Sequence, residues 1–178
     1  MGTAALLSAK KTSTLSNDQT TTKRTKGFIV GYVPGAYDLF HVGHLNILKR
    51  ARQQCDYLIA GVVSDEMLLL NKGITPVVPL KERLEIVRNI NIVDQAVAET
   101  LPNKVAVWEK LHFDVVFKGD DWKGTEKGSQ LEKDLAEHDV EVVYFPYTQS
   151  TSSSILRKTL ARLNGQPSSE QSGRYLRY

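Results

Sequence analysis

Cysteine is almost missing from this chain: its 178 residues contain one, Cys55. A single cysteine excludes a disulfide framework and a structural zinc site of the multi-cysteine kind. Long apolar runs are missing too. The longest, such as Tyr57 to Val63, are strand-sized and far short of the ~18 residues a membrane-crossing helix needs. Ala4 to Leu7 is too short for the apolar core of a signal peptide, and Leu6 stands where a myristoylation motif needs Ser or Thr. These absences lead us to expect a cytoplasmic protein with no membrane insertion. What is present suffices for one core: 41% of the residues are hydrophobic, and a chain of this length can fold without disulfides or structural metal.

Charge of one sign is also scarce where it would matter. The net charge is +3, but Lys10, Lys11, Lys23, Arg24 and Lys26 crowd the first 26 residues against Asp18 alone, and Arg174 and Arg177 lie near the other end. The stretch between is slightly acidic, which argues against a nucleic-acid partner. Residues 1–26 are Thr-rich and carry no hydrophobic period after Leu7, so we expect a disordered basic tail there. Residues 164–178, opening on Asn164-Gly165, read as a flexible C-terminal tail. One domain is expected over 27–163.

Inside that domain, short apolar runs alternate with helical periods. Strands are expected at Phe28–Val33, Tyr57–Val63, Val93–Ala98, Val115–Phe117 and Val140–Phe145. Helical patterns separate them: one from about His41 with Val42, Leu45, Leu48 and Ala51 on one face, and a short one near Asp65–Leu70. Others start at Pro79, cover Val105–Leu111, carry Leu131 and Leu135, and close the domain over Ile155–Leu163. The strand runs are apolar throughout, which signals burial on both faces. Strand–helix alternation of this kind predicts a doubly wound, Rossmann-like, five-stranded parallel sheet with helices on both faces. Ligands of such sheets bind beyond the carboxyl ends of the strands, so the loops to watch follow Val33, Val63, Phe117 and Phe145.

The first of these loops reads Pro34-Gly35-Ala36-Tyr37-Asp38-Leu39-Phe40-His41-Val42-Gly43-His44. Gly35 is expected to let a ligand approach the main chain, and Gly43 to leave room for something bulky. His41 and His44, three apart at a helix start, would share a face and join the free N–H groups of that helix in a phosphate cradle. His112 and His138 fall outside the ligand-end loops, so the pair has no zinc partners. The loop after the fourth strand, Lys118-Gly119-Asp120-Asp121-Trp122-Lys123-Gly124, offers carboxylates for a base amino group or a sugar hydroxyl, with Trp122 as an apolar wall. Thr148 to Ser154 places hydroxyls at a helix start, where they suit both capping and terminal phosphates. Lys72-Gly73 adds a nearby cation.

Together these loops resemble the cytidylyltransferase branch of the nucleotidyltransferase superfamily, and within it most closely the glycerol-3-phosphate cytidylyltransferases. The resemblance covers about Phe28 to Leu163. G-A-Y-D-L-F-H-V-G-H fits the pattern GT(F/Y)D-L-x-H-x-G-H, R-A-R-Q-Q-C-D-Y-L-I-A-G-V-V-S-D-E fits the following helix and strand, Glu82-Arg83 sits at the E-x-R helix, and G-D-D-W-K-G fits the base-recognition loop.

The resemblance implies attack of an acceptor phosphate on the α-phosphorus of CTP with loss of pyrophosphate, and glycerol 3-phosphate, giving CDP-glycerol, as the leading acceptor. It implies that His41, His44 and Lys72 serve catalysis, and that Gly35, Ala36, Tyr37, Val42, Gly43, Asp120, Trp122, Thr148, Ser152, Ser153 and Ser154 contact the nucleotide. Asp38 and Lys104 would meet the acceptor. Mg²⁺ would arrive with the nucleotide, with no metal site made by protein alone, and the protein would be a homodimer.

Three positions depart from the pattern: Ala36 replaces its Thr, and Asn91 and Tyr147 replace two arginines. Lys118, Arg157 or Lys158 are candidates to supply the missing charge. Two alternatives stay open, an adenylyltransferase of the same fold acting on a sugar phosphate or flavin, and a nucleotide-binding protein that has lost catalysis.

Overall fold

The structure, a computed structural model, describes residues 27–148 and 151–164. The tail expected over 1–26, all but Asn164 of the one expected over 164–178, and Gln149 with Ser150 lie outside the described residues. Five strands alternate with six α-helices: β1 (Val30–Gly35), α1 (Val42–Arg52), β2 (Tyr57–Val63), α2 (Asp65–Lys72), α3 (Leu80–Arg88), β3 (Gln95–Glu99), α4 (Lys104–Leu111), β4 (Val115–Gly119), α5 (Glu126–Ala136), β5 (Glu141–Phe145) and α6 (Ser153–Leu163). A single 3₁₀ turn, Asp120–Trp122, follows β4.

All neighbouring strands are parallel, in the order β3-β2-β1-β4-β5. The fold is α/β and Rossmann-like. The chain builds one half of the sheet outward from β1, then crosses back to β4 and builds the other half. The crevice between the ends of β1 and β4 is therefore the switch point where such folds bind ligands.

Successive residues of a strand face opposite sides, and both sides are packed. On one side Val33, Leu58, Val62 and Phe117 meet Leu48 and Ala51 of α1 and Val87 of α3. On the other, Tyr32, Ile59 and Val116 meet Val107 of α4 and Leu131 and Leu135 of α5. Two glycines let these layers close. A Cβ at Gly31 would come within 2.7 Å of Cys55 Sγ and of the Phe117 ring, and one at Gly61 within 2.0 Å of the Tyr32 phenol oxygen.

The strand starts are pinned by aspartates. Asp56, Asp114 and Asp94 each stand just before a strand and accept a backbone N–H of its neighbour: Ile29 N at 2.8 Å, Val30 N at 2.9 Å and Leu58 N at 2.7 Å. This register moves β1 two residues later than the sequence suggests. Phe28 is 65% exposed and outside the strand, while Pro34 and Gly35 continue it beside Gly61 and Val62.

Candidate active site

The loop leaving β1 is held from three directions. Arg83 of α3, with no exposed surface, donates to the carbonyls of Ala36, Val63 (2.9 Å) and Val78 (2.8 Å) and pairs with Asp65. Asp38, equally buried, accepts from Val77 N (3.0 Å) and Val78 N (2.9 Å) and pairs with Arg157 of α6 at 2.8 Å. Tyr37, also buried, donates its hydroxyl to Val33 O at 3.0 Å. Tyr37 and Leu39 have φ of 53° and 49°, an unfavourable region for residues with a side chain, which these contacts enforce.

That loop delivers two histidines to the start of α1. His41 is the N-cap: its Nδ1 accepts from Gly43 N at 3.0 Å, and His44 Nδ1 accepts from His41 N at 3.4 Å. A nitrogen that accepts an N–H bond carries no proton, so both rings present Nε2–H as a donor. The rings lie 4.0 Å apart, stacked at 30°. Burial pushes His41 below its ordinary value; burial and the neighbouring His41 push His44 down to about 3. Both are neutral donors at pH 7.

The rings open into a cavity of about 830 Å³, including its open mouth. Gly35, Ala36, Tyr37 and Gly43 line one wall, Trp122 another, and Thr148 with Ser152, Ser153 and Ser154 a third. The serines differ in what they do. Ser152 caps α6 by accepting from Ile155 N at 3.2 Å. Ser153 is buried, donates to Asp38 O at 2.7 Å and lies 3.3 Å from His41 Nε2. Thr148 Oγ1 accepts from Asn46 Nδ2 at 3.2 Å, tying the β5 loop to α1.

Other expected residues lie elsewhere. Gly35 has no left-handed φ, and a Cβ there would press on the Tyr37 ring at 3.0 Å. Gly43 makes room for the His41 ring, 2.7 Å from where a Cβ would stand, and not for a bulky ligand. Val42, Asp38, Asp120, Lys72 and Lys104 do not line the cavity. Asp38 is occupied as described, which removes its carboxylate from any acceptor. Asp120 is exposed and accepts from Tyr147 N at 3.1 Å, joining the β4 and β5 loops. Its neighbour Asp121 is the unsatisfied one: both carboxylate oxygens are buried without a hydrogen-bond partner, and burial raises its pKa against the pull of Lys118.

Lys118 and Lys104, both marked in the sequence, belong to a charged cluster whose other members, Glu99 and Tyr32, sequence reasoning missed. Glu99, 5% exposed at the end of β3, pairs with Lys104 at 2.5 Å and accepts from the Tyr32 hydroxyl. Lys118, at the end of β4, faces Lys104, Glu99 and Asp121, and its Nζ sits 3.7 Å above the centre of the Trp122 ring. Burial and the charge of Lys104 push Lys118 down to about 7. Lys72, though exposed overall, is pushed downward too, by water lost around its ammonium and by Lys118. Arg157 is committed to Asp38, and Lys118, not Lys158, lines the cavity.

Residues 32–159, nearly the whole described unit, match the cytidylyltransferase-like family. The chain belongs to that family. A glycerol-3-phosphate cytidylyltransferase of Bacillus spizizenii is 33% identical over 130 residues, 72% of this chain and 95% of that protein. An ethanolamine-phosphate cytidylyltransferase of Arabidopsis thaliana is 36% identical over 96 residues, and there the match spans only 22% of the relative's length. An FAD synthase of Thermococcus kodakarensis is 30% identical over 136 residues, 89% of its length. The fold also matches the solved structure of a lipopolysaccharide core biosynthesis protein from Thermoplasma volcanium, with a TM-score of 0.60 at 23% identity, over 68% of this chain and all of that one. Membership of the cytidylyltransferase-like family makes the chain a nucleotidyltransferase and implies binding of a nucleotide and a small phosphorylated acceptor.

Proposed function

We propose that the protein transfers the cytidylyl group of CTP to a small polyol phosphate, glycerol 3-phosphate first among them, and releases pyrophosphate. The observation that carries the reading is the pair of neutral Nε2–H donors, His41 and His44, locked by their other nitrogens to the head of α1 and opening on the switch-point cavity. In this reading an oxygen of the acceptor phosphate bonds to the α-phosphorus, while the bond to the pyrophosphate oxygen breaks and its electron pair leaves with pyrophosphate. Donors fixed before substrate arrives meet the negative charge that builds on the oxygens around phosphorus, with no reorganisation cost during the step.

Thr148 and Ser152 to Ser154, at the start of α6, suit the outer phosphates. From outside the cavity lining, Lys72 of α2 would reach the nucleotide phosphates and Lys104 of α4 the acceptor. Among the described residues no three His, Cys, Asp or Glu side chains gather to hold a metal. Mg²⁺ enters the proposal as an ion bound by the nucleotide's own phosphate oxygens, hard ligands of the kind it prefers, where it would neutralise their charge. The similarity to an ethanolamine-phosphate cytidylyltransferase and to an FAD synthase names the competing acceptors. Pyrophosphate release, measured with CTP or ATP against glycerol 3-phosphate, ethanolamine phosphate and FMN, tests the reading. CTP with glycerol 3-phosphate is expected to turn over fastest. Turnover of FMN with ATP alone would replace the proposal with the adenylyl reading, and binding without any turnover would support the impaired-protein reading.

A further inference from the structure

Two phosphate groups must meet in this cavity, and they repel one another. The histidines bring no net charge to offset this, because both are neutral at pH 7. Among the described residues the cations that line the cavity are Arg50 and Lys118. Arg50 donates to Pro146 O at 2.7 Å and braces the β5 loop. Lys118 is placed differently. It stands at the end of β4, on the switch point, lining the cavity together with the histidines and the α6 serines and within electrostatic reach of Lys104, Glu99 and Asp121. The Trp122 face, 3.7 Å from its ammonium, fixes where the charge sits.

We infer that Lys118 is a substrate-binding residue of this site, placing its ammonium where the nucleotide phosphates and the acceptor phosphate come together. The inference rests on the phosphate-transfer reading of the cavity but not on which base or acceptor is used. The carboxylate of Asp121, close enough to act on Lys118, has both oxygens buried without donors, but it lines a neighbouring hollow with Thr125, Glu126 and Lys127 and not this cavity. Lys118 is poised near 7 by burial and by Lys104, against Glu99 and Asp121. A phosphate placed against it favours the charged form, so binding draws a proton onto the amine. Lys72, close enough to feel Lys118, adds to the same positive field.

The test is calorimetric titration of pyrophosphate and of CTP, slightly above neutral pH, in two buffers of different ionisation enthalpy. Wild-type protein is expected to take up part of a proton on binding. Lys118→Met should bind both ligands about 10–100-fold more weakly, the range for losing a hydrogen bond to a charged group, and take up none. Lys118→Arg should retain most of the affinity yet also lose the uptake, since arginine is already charged. Should the Met variant fail to fold, as judged by circular dichroism, the Arg variant decides through proton uptake alone. Wild-type affinity and uptake in either variant overturn the inference. A protein that uses ATP and not CTP would overturn the cytidylyl proposal, while the pyrophosphate titration still decides Lys118.

Discussion

At the scale of single residues, each imidazole at the head of α1 has Nδ1 committed to the backbone and turns Nε2 to the cavity, where that of His41 also meets Ser153 Oγ at 3.3 Å. His44→Ala removes a donor that the transition state needs, and kcat should fall about 10²–10³-fold. Turnover near wild type, with an unchanged far-ultraviolet spectrum, would remove His44 from catalysis. The same ring makes folding pH-dependent. Its folded value of about 3 lies below the ordinary 6.5, so between those values the unfolded chain binds a proton that the folded one refuses. Its contribution to stability is therefore complete above about pH 6.5 and declines as pH falls, by at most about 1.4 kcal/mol per pH unit. Urea unfolding at several values from pH 7 to pH 5 should show a shallower decline for His44→Asn than for wild type. Parallel curves would mean that the ring is protonated as easily folded as unfolded.

This scale is also where the sequence was hardest to read. Adjacent acids look alike as letters, yet Asp120 accepts from Tyr147 N at the surface, while the half-buried Asp121 has both carboxylate oxygens hidden without donors. Asp38 in a ligand loop suggested substrate, but burial with Val77, Val78 and Arg157 makes it a brace. Direction and partnership depend on the backbone around a residue, which spacing alone does not encode. The sequence marked Glu82-Arg83 only as a motif, and gave no hint that the arginine is fully buried and joins four partners.

At the scale of elements, apolar runs bounded by turn residues located all five strands, and β2 ran as expected from Tyr57 to Val63. Helix boundaries were less legible because caps set them: Asn103, Thr125 and Ser152 extend α4, α5 and α6 to starts that the apolar periods do not reach. The ion pair of Arg157 with Asp38 fastens α6 to the β1 loop, and so fixes the serines relative to the histidines. Arg157→Leu leaves a buried carboxylate with only backbone donors. It should cost about 3 kcal/mol in urea unfolding, at the low end for a broken buried pair because Val77 and Val78 still donate. It should also raise KM for CTP, since the α6 end loses its tether to the loop. A variant as stable as wild type would show that α6 is held by its apolar contacts alone.

At the scale of the whole molecule, one sheet separates two packed layers, and only one of them backs the charged cluster. Gly31 faces the α1 side, against Cys55 and Phe117; Gly61 faces the other, against the Tyr32 hydroxyl that Glu99 accepts. Alanine at either position adds a methyl group where none fits, and each should cost about 1–3 kcal/mol of stability. Their effects on activity should differ. Gly31→Ala displaces Cys55 and the Phe117 ring, which stacks on Phe145 of the cavity lining, and leaves the Tyr32–Glu99–Lys104 contacts untouched. Gly61→Ala drives Tyr32 off Glu99, and Glu99 holds Lys104, which in turn faces Lys118. The Gly61 variant should therefore show a lower kcat and a raised KM for the acceptor, at temperatures where both variants remain folded. The Gly31 variant should keep the wild-type KM for the acceptor under the same conditions. Equal kinetic losses in the two would mean that the site responds to general loosening of the sheet, with no route through the Tyr32–Glu99–Lys104 contacts.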